Sequence, residues 1–175
     1  MNTTKIKAFG TQAAENDLEL LTIERREVQP KDIEIDIYYC GVCHSDLHTA
    51  RNDWGGTVYP AVPGHEIVGK ILKVGNEVSK FKEGDLVAVG CMVDSCRTCP
   101  SCEQDLEQFC EKGFTGTYNG KDKYFEEART FGGYAESVIV DEHFVLRLPE
   151  NLDMAAAAPL LCAGITTWSP LKHWN

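Results

Sequence analysis

Between Asp32 and Tyr39 the chain alternates polar and apolar side chains: Asp32-Ile33-Glu34-Ile35-Asp36-Ile37-Tyr38-Tyr39. A period of two is the signature of a strand with one buried face. Lys5–Phe9 and Leu18–Ile23 are weaker candidates of the same kind. Ile67–Val74 is a further strand, closed by the turn signal Gly75-Asn76, and Glu83-Gly84-Asp85 turns tightly into the strand Leu86–Val89. Gly132-Gly133 opens a strand from Tyr134 to Val140, and Phe144–Leu148 is the last. Many short strands separated by turn residues predict a mainly β fold, a barrel or sandwich.

Helical signals are few. Ser45–Arg51 predicts one or two turns with Ser45 as N-cap, and Glu103–Phe109 another short helix. Near the end, Asn151-Leu152-Asp153 caps the strong helix former run Met154–Ala158. A second helix is expected from about Pro159, interrupted at Pro170.

Composition narrows the function. The 175 residues are 43% hydrophobic and 25% charged, ordinary for a folded domain, with a formal net charge of -10. The basic residues are scattered, which disfavours nucleic acid and anionic membrane surfaces as partners. The N-terminus lacks an apolar signal segment and no run of 18 apolar residues appears, so a cytoplasmic chain with no membrane span is the expectation. In a reducing compartment its eight cysteines point to metal or catalysis more than to disulfides.

Four of the eight fall within one short segment: Cys96-x-x-Cys99-x-x-Cys102 and, after seven intervening residues, Cys110. Four thiolates at this spacing suit a tetrahedral structural Zn²⁺ with no open position. Three other residues, Cys43, His65 and Cys162, form a set of the kind a catalytic zinc uses, but spacing alone does not select them, and each singly is as consistent with core packing.

Four segments carry a resemblance: Gly41-Val42-Cys43-His44-Ser45-Asp46-Leu47-His48, Gly64-His65-Glu66-Ile67-Val68-Gly69, the four-cysteine loop, and Leu161-Cys162-Ala163-Gly164-Ile165-Thr166-Thr167. In this order they resemble the zinc-dependent medium-chain alcohol dehydrogenases, nearest the cinnamyl-alcohol-dehydrogenase-like branch with its bacterial NADP-dependent aldehyde reductases. The resemblance implies a GroES-like, partly open β-barrel over residues 1–150, and over 151–175 the start of a helical connection to a dinucleotide-binding domain. It implies two zinc ions per chain. Cys43, His65 and Cys162 match the catalytic ligands, with Glu66 as an alternative fourth ligand or a group behind them. Asp46 matches the residue that orients the ligand histidine. Ser45 matches the hydroxyl at the substrate oxygen and His48 the end of a proton relay. His44 and Thr166 match residues beside the NADP(H) pyrophosphate and nicotinamide, and Trp54 and Met92 fall where the substrate pocket is lined. Cys40 and Cys91 match no ligand and read as buried thiols.

No Gly-x-Gly-x-x-Gly motif occurs in these residues. The family's chain is about twice this length, so the sequence reads as a truncated piece, inactive alone, of an enzyme that interconverts primary alcohols and aldehydes and is a homodimer when whole. The apolar residues Leu160, Leu161, Ile165, Trp168, Leu171 and Trp174 are expected to lack partners. Two other readings stay open on the residues: a zinc-stabilised scaffold without chemistry, and a zinc hydrolase.

Overall fold

A computed structural model describes residues 3–124 and 129–174. It is mainly β, as expected. Strands β3 (Asp32–Cys40), β4 (Ile67–Val74), β5 (Leu86–Val89), β8 (Ser137–Asp141) and β9 (Leu146–Arg147) form one antiparallel sheet in the order β8-β3-β4-β5-β9. Its two edge strands are not paired with each other, so the sheet stays open. Strands β1 (Thr3–Gly10) and β2 (Glu19–Arg26) make a hairpin, and β6 (Met92–Asp94) and β7 (Thr115–Gly116) a small ribbon.

The alternation in β3 does what it predicts at first: Ile33 and Ile35 are fully buried in the main core with Ile67, Ile71, Val87, Val89, Val138 and Val140. It fails at the end of the strand, where Tyr38 and Tyr39 are both 45% exposed. The register shifts between Ile37 and Tyr39, so Tyr38 is an extra residue, and such a bulge breaks the period of two. Strands β4 and β5 read as apolar runs because both their faces are covered. Val68 and Ala88 point away from the main core and pack against Leu148, Ala157 and Ala158.

The hairpin is fastened to the sheet by main-chain bonds and by one buried cation. Phe9 N donates to Tyr134 O and Glu136 N to Lys7 O, so residues 134–136 bond to β1 before the strand joins β3; the sheet strand therefore starts at Ser137 and not at Tyr134. Arg25, 8% exposed, donates to the carbonyls of Phe131, Gly132 and Ser137. Burial, with the neighbouring Arg26, draws its pKa down to about 10, which still leaves it charged at neutral pH.

Several local expectations are corrected. Helix α1 is His44–Ala50 with Cys43, not Ser45, at the N-cap, because the Asp46 carboxylate reaches back to the Cys43 N–H at 2.9 Å. The helix expected over 103–109 is two 3₁₀ turns, Cys102–Gln104 and Glu107–Phe109, separated by Asp105 at φ +58. A continuous helix would set Cys102 and Cys110 roughly 12 Å apart, too far to share a ligand sphere. Phe144–Leu148 gives only the two residues of β9, since the Asp141 side chain accepts from His143 N and caps a 3₁₀ turn over Glu142–Phe144. Sequence patterning missed β6 and β7.

At the end of the chain, α2 (Met154–Ala157) is capped by Asp153, a 3₁₀ turn follows over Ala158–Leu161, and α3 (Ala163–His173) runs through Pro170. Proline removes one N–H, but α3 has no buried residue, so the freed carbonyl faces solvent, and Trp174 N still bonds to Pro170 O. Leu160, Ile165, Trp168, Leu171 and Trp174 are exposed, as expected; Leu161 instead packs under α2. No single helix among the described residues is long and apolar enough to cross a membrane.

Gly69 sits where β4 passes β3, and a Cβ there would overlap the Asp36 carbonyl. Gly69→Ala is expected to cost about 1–3 kcal/mol in urea unfolding, the range for overpacking a rigid core. An unchanged midpoint would mean the two strands separate more readily than their packing implies.

Candidate active site and metal centres

The loop after β6 carries the four-cysteine set. Arg97 adopts a left-handed φ of +57 and pairs with Asp94 and Asp141, which pins the loop to the sheet. The Sγ atoms of Cys96, Cys99, Cys102 and Cys110 all lie within 4.8 Å of one another, and those of Cys96 and Cys102 are 3.9 Å apart. All four are free thiols. A disulfide needs about 2.05 Å between sulfurs, whereas a tetrahedron with zinc–sulfur bonds of about 2.3 Å needs roughly 3.8 Å between sulfurs. The observed spacing matches the second. The Thr98 main-chain N–H draws the Cys96 thiol down to about 6, toward the thiolate that a metal requires.

The second set comes from three separate segments. Cys43 caps α1, His65 and Glu66 precede β4, and Cys162 stands between the last 3₁₀ turn and α3. Their donor atoms also lie within 4.8 Å of one another, with 3.9 Å between the sulfurs of Cys43 and Cys162. Two soft sulfurs, one imidazole and one carboxylate suit zinc, and the donor spacing fits one ion.

Asp46 binds this arrangement together. It is 3% exposed. Its Oδ1 accepts from Gly64 N and His65 Nδ1, and its Oδ2 from Cys43 N, each at 2.9 Å; Tyr134 Oη adds a bond of 3.0 Å to Oδ2. Burial alone would raise the Asp46 pKa, but the bonds from His65, Cys43 N and Gly64 N outweigh it and hold the carboxyl below its usual range. Burial alone would lower that of His65, and its bond to Asp46 outweighs this, leaving it raised. An ionised Asp46 fixes the proton of neutral His65 on Nδ1, so Nε2 offers its lone pair into the set. Burial raises the pKa of Glu66, and Gly41 makes its room: a Cβ at residue 41 would overlap Glu66 Oε2. Burial also pushes the Cys162 thiol up to about 12.

A cavity of about 280 Å³ opens beside the set, lined by Ser45, Trp54, His65, Cys91, Phe114, Gly116, Thr117, Tyr118 and Cys162. Ser45 and Trp54 are therefore placed together with His65 and Cys162. His48 lies one turn beyond Ser45; its ring stacks on Trp54 at 4.9 Å and its Nδ1 meets Asp53 Oδ2 at 2.8 Å. The His44 ring is 5.7 Å from that of His48, at the exposed start of α1. Met92 lines a different cavity, of about 440 Å³, with Leu160, Leu161 and Ile165. Thr166 is exposed on α3 one turn past Cys162 and lines neither cavity.

Cys91 corrects its expectation: it is exposed and borders both cavities, because β6 starts directly after it at the cavity rim. Cys40 is half-buried, and burial pushes its thiol up to about 12. Sequence reasoning also missed Phe114, Tyr118 and Tyr134. They reach the site only because β7 and the segment before β8 fold back over α1, and no local pattern marks that.

Residues 29–150 match the alcohol dehydrogenase GroES-like domain. The chain belongs to that family. Among GroES-like relatives, the aldehyde reductase YahK of Escherichia coli is 55% identical over 98% of this chain and 49% of its own length. The NADP-dependent alcohol dehydrogenase C 1 of Mycolicibacterium smegmatis is 52% identical over 97% of this chain and 48% of its own. A cinnamyl alcohol dehydrogenase from Sorghum bicolor superposes with a TM-score of 0.94 at 42% identity, covering 98% of this chain and 48% of that one. A structure of CAD from Helicobacter pylori complexed with NADP(H) gives 0.94 at 43%, covering 98% and 49%. The chain spans about half the length of the relatives it matches. In these comparisons the chain matches as the GroES-like domain of the zinc-dependent medium-chain family.

The His65–Asp46 pair makes a pH prediction for the metal-stripped chain. The raised His65 pKa stabilises fully below the unfolded value of about 6.5 and is lost as pH rises through the folded value; the lowered Asp46 pKa stabilises above about 3.9 and is lost as pH falls through the folded value. Asp46→Asn should therefore destabilise more at pH 5.5, by about 2 kcal/mol, than at an alkaline pH above the raised His65 value, where the imidazole is neutral. Equal losses in urea unfolding at the two pH values would show that the pair is not ionised.

Proposed function

We propose that the chain is the metal-binding catalytic part of an NADP(H)-dependent dehydrogenase that interconverts primary alcohols and aldehydes. Residues 1–150 serve as the catalytic domain, and 151–175 begin the connection toward a dinucleotide-binding domain. The observation that carries this reading is the convergence of Cys43, His65, Glu66 and Cys162 beside a cavity lined by His65, Cys162 and Ser45. Relatives named as NADP-dependent alcohol dehydrogenase and aldehyde reductase support it.

Two zinc ions are assigned. The Cys96, Cys99, Cys102 and Cys110 set holds one, and its four thiolates leave no open position, so its role is to hold the lobe in shape. Cys43, His65 and Cys162 would hold the other, with the Glu66 carboxylate in the same donor set. Zinc bound there would supply Lewis acidity to the substrate oxygen. NADP(H), when bound, would supply the hydride, since no side chain provides one.

The remaining chemistry belongs to side chains of this chain. Ser45 stands on the cavity wall with a hydroxyl to hold the substrate oxygen and relay its proton. His48 shares the α1 face of Ser45, three residues on, and reaches solvent. Asp53 occupies His48 Nδ1, which leaves Nε2 to exchange the proton. Trp54 and Phe114 give the cavity an apolar wall suited to the carbon chain of an alcohol. His44, at the exposed start of α1, and Thr166, on α3, are assigned to the cofactor side.

Joined to the remaining half of a relative such as the Escherichia coli aldehyde reductase, the chain should oxidise NADPH in the presence of an aldehyde. The 175 residues alone should not. In the joined protein, Ser45→Ala should lower kcat about 10²- to 10⁴-fold, the range for loss of a proton-transfer group. Aldehyde reduction that survives Cys43→Ser would refute the assignment and favour a scaffold role.

A further inference from the structure

We propose that Tyr134 is a positioning residue for His65, acting through Asp46, and that its hydroxyl sets how tightly the Cys43, His65 and Cys162 set holds its metal. The proposal rests on the ligand assignment above. Tyr134 lies 69 positions from His65 in sequence, outside every segment that supplies a ligand.

Asp46 must do two things at once. It orients the His65 ring through Nδ1, and it ties together the Cys43 and Gly64 main chain. Its carboxylate can still rotate about its last bond unless both oxygens are held. Oδ1 has two donors, Gly64 N and His65 Nδ1. Oδ2 has Cys43 N and the Tyr134 hydroxyl, the latter at 3.0 Å; the Gly41 carbonyl is farther from that hydroxyl, at 3.4 Å. Asp46 and His65 are each 3% exposed, so solvent does not readily replace a lost donor.

The tyrosine itself has little freedom. Gly132 N donates to Val62 O at 2.7 Å, Gly133 N to Gly64 O at 2.8 Å and Tyr134 N to Pro63 O at 3.1 Å, so its segment is laced to the loop that ends in His65. That approach needs glycine on both sides. Gly64 has φ +102 and a Cβ there would lie 2.8 Å from Tyr134 N, while a Cβ on Gly133 would overlap Ile67. From behind, Arg25 holds the Phe131 and Gly132 carbonyls. A line of bonded groups thus runs from the hairpin through Tyr134 and Asp46 to the imidazole.

The test is a cobalt(II) titration of the whole chain with chelator competition, reading the ligand-field bands of each site. Cys43→Ser supplies the spectrum of the four-cysteine site alone. Tyr134→Phe should weaken cobalt at the Cys43, His65 and Cys162 set about 10-fold and shift its bands, the low end of what outer groups contribute to metal affinity. The four-cysteine bands should not change. Asp46→Asn should weaken the same site, and adding Tyr134→Phe to it should cost nothing more, because both act through one carboxylate. Tyr134→4-aminophenylalanine, which keeps a donor, should restore affinity. Unchanged bands and affinity in Tyr134→Phe, equal losses at both sites, or full additivity with Asp46→Asn would overturn the proposal. A wild type with the same cobalt content as Cys43→Ser would instead refute the ligand assignment, and the proposal with it.

Discussion

A carboxylate taken out of water must be surrounded by donors or it will take up a proton. Asp46 meets that demand with four donors from α1, from the loop before β4 and from the segment before β8. The same bonds that keep it ionised also fix where Cys43 and His65 stand. Stability of the charge and geometry of the site are thus one constraint. The rest of the fold can be read as what brings those three segments together: β3 delivers Cys43, β4 receives the chain after His65 and Glu66, and the hairpin with Arg25 holds the segment that carries Tyr134.

The two metal sets differ in how they are made. The four cysteines come from one loop, and turns at Arg97 and Asp105 with left-handed φ bring them together locally. The second set spans residues 43 to 162 and exists only if the sheet, α1 and the final turn are all in place. A site assembled from distant segments needs a scaffold that does not move, and the two-sided burial of β4 and β5 supplies one. The local set has no comparable dependence. Where the molecule leaves apolar surface uncovered, on α3 and around Leu160, it does so next to Cys162.

Strands with a single buried face were legible because period-two burial leaves its mark on composition, as in Ile33 and Ile35. The bulge at Tyr38, the 3₁₀ turns flanking Asp105 and the helix that crosses Pro170 were not, since each is decided by contacts or by exposure that no short window contains. The four-cysteine set was legible by spacing alone. Cys43, His65 and Cys162 were legible only through resemblance to a family, and their convergence in the structure is what turns that match into a geometric statement. Cys91 and Met92 show the limit: adjacent in sequence, they share one cavity, but only Cys91 also reaches the one beside His65 and Cys162.

The account depends most on there being two independent metal sites of different construction. Elemental analysis of zinc per chain tests it directly, on the wild type, on Cys43→Ser and on Cys99→Ser. Two zinc ions in the wild type, falling to one in either variant with the fold kept, is the result the structure predicts. One zinc in the wild type, lost only in Cys99→Ser, would contradict it and leave the second set a group of thiols around an ordinary buried histidine.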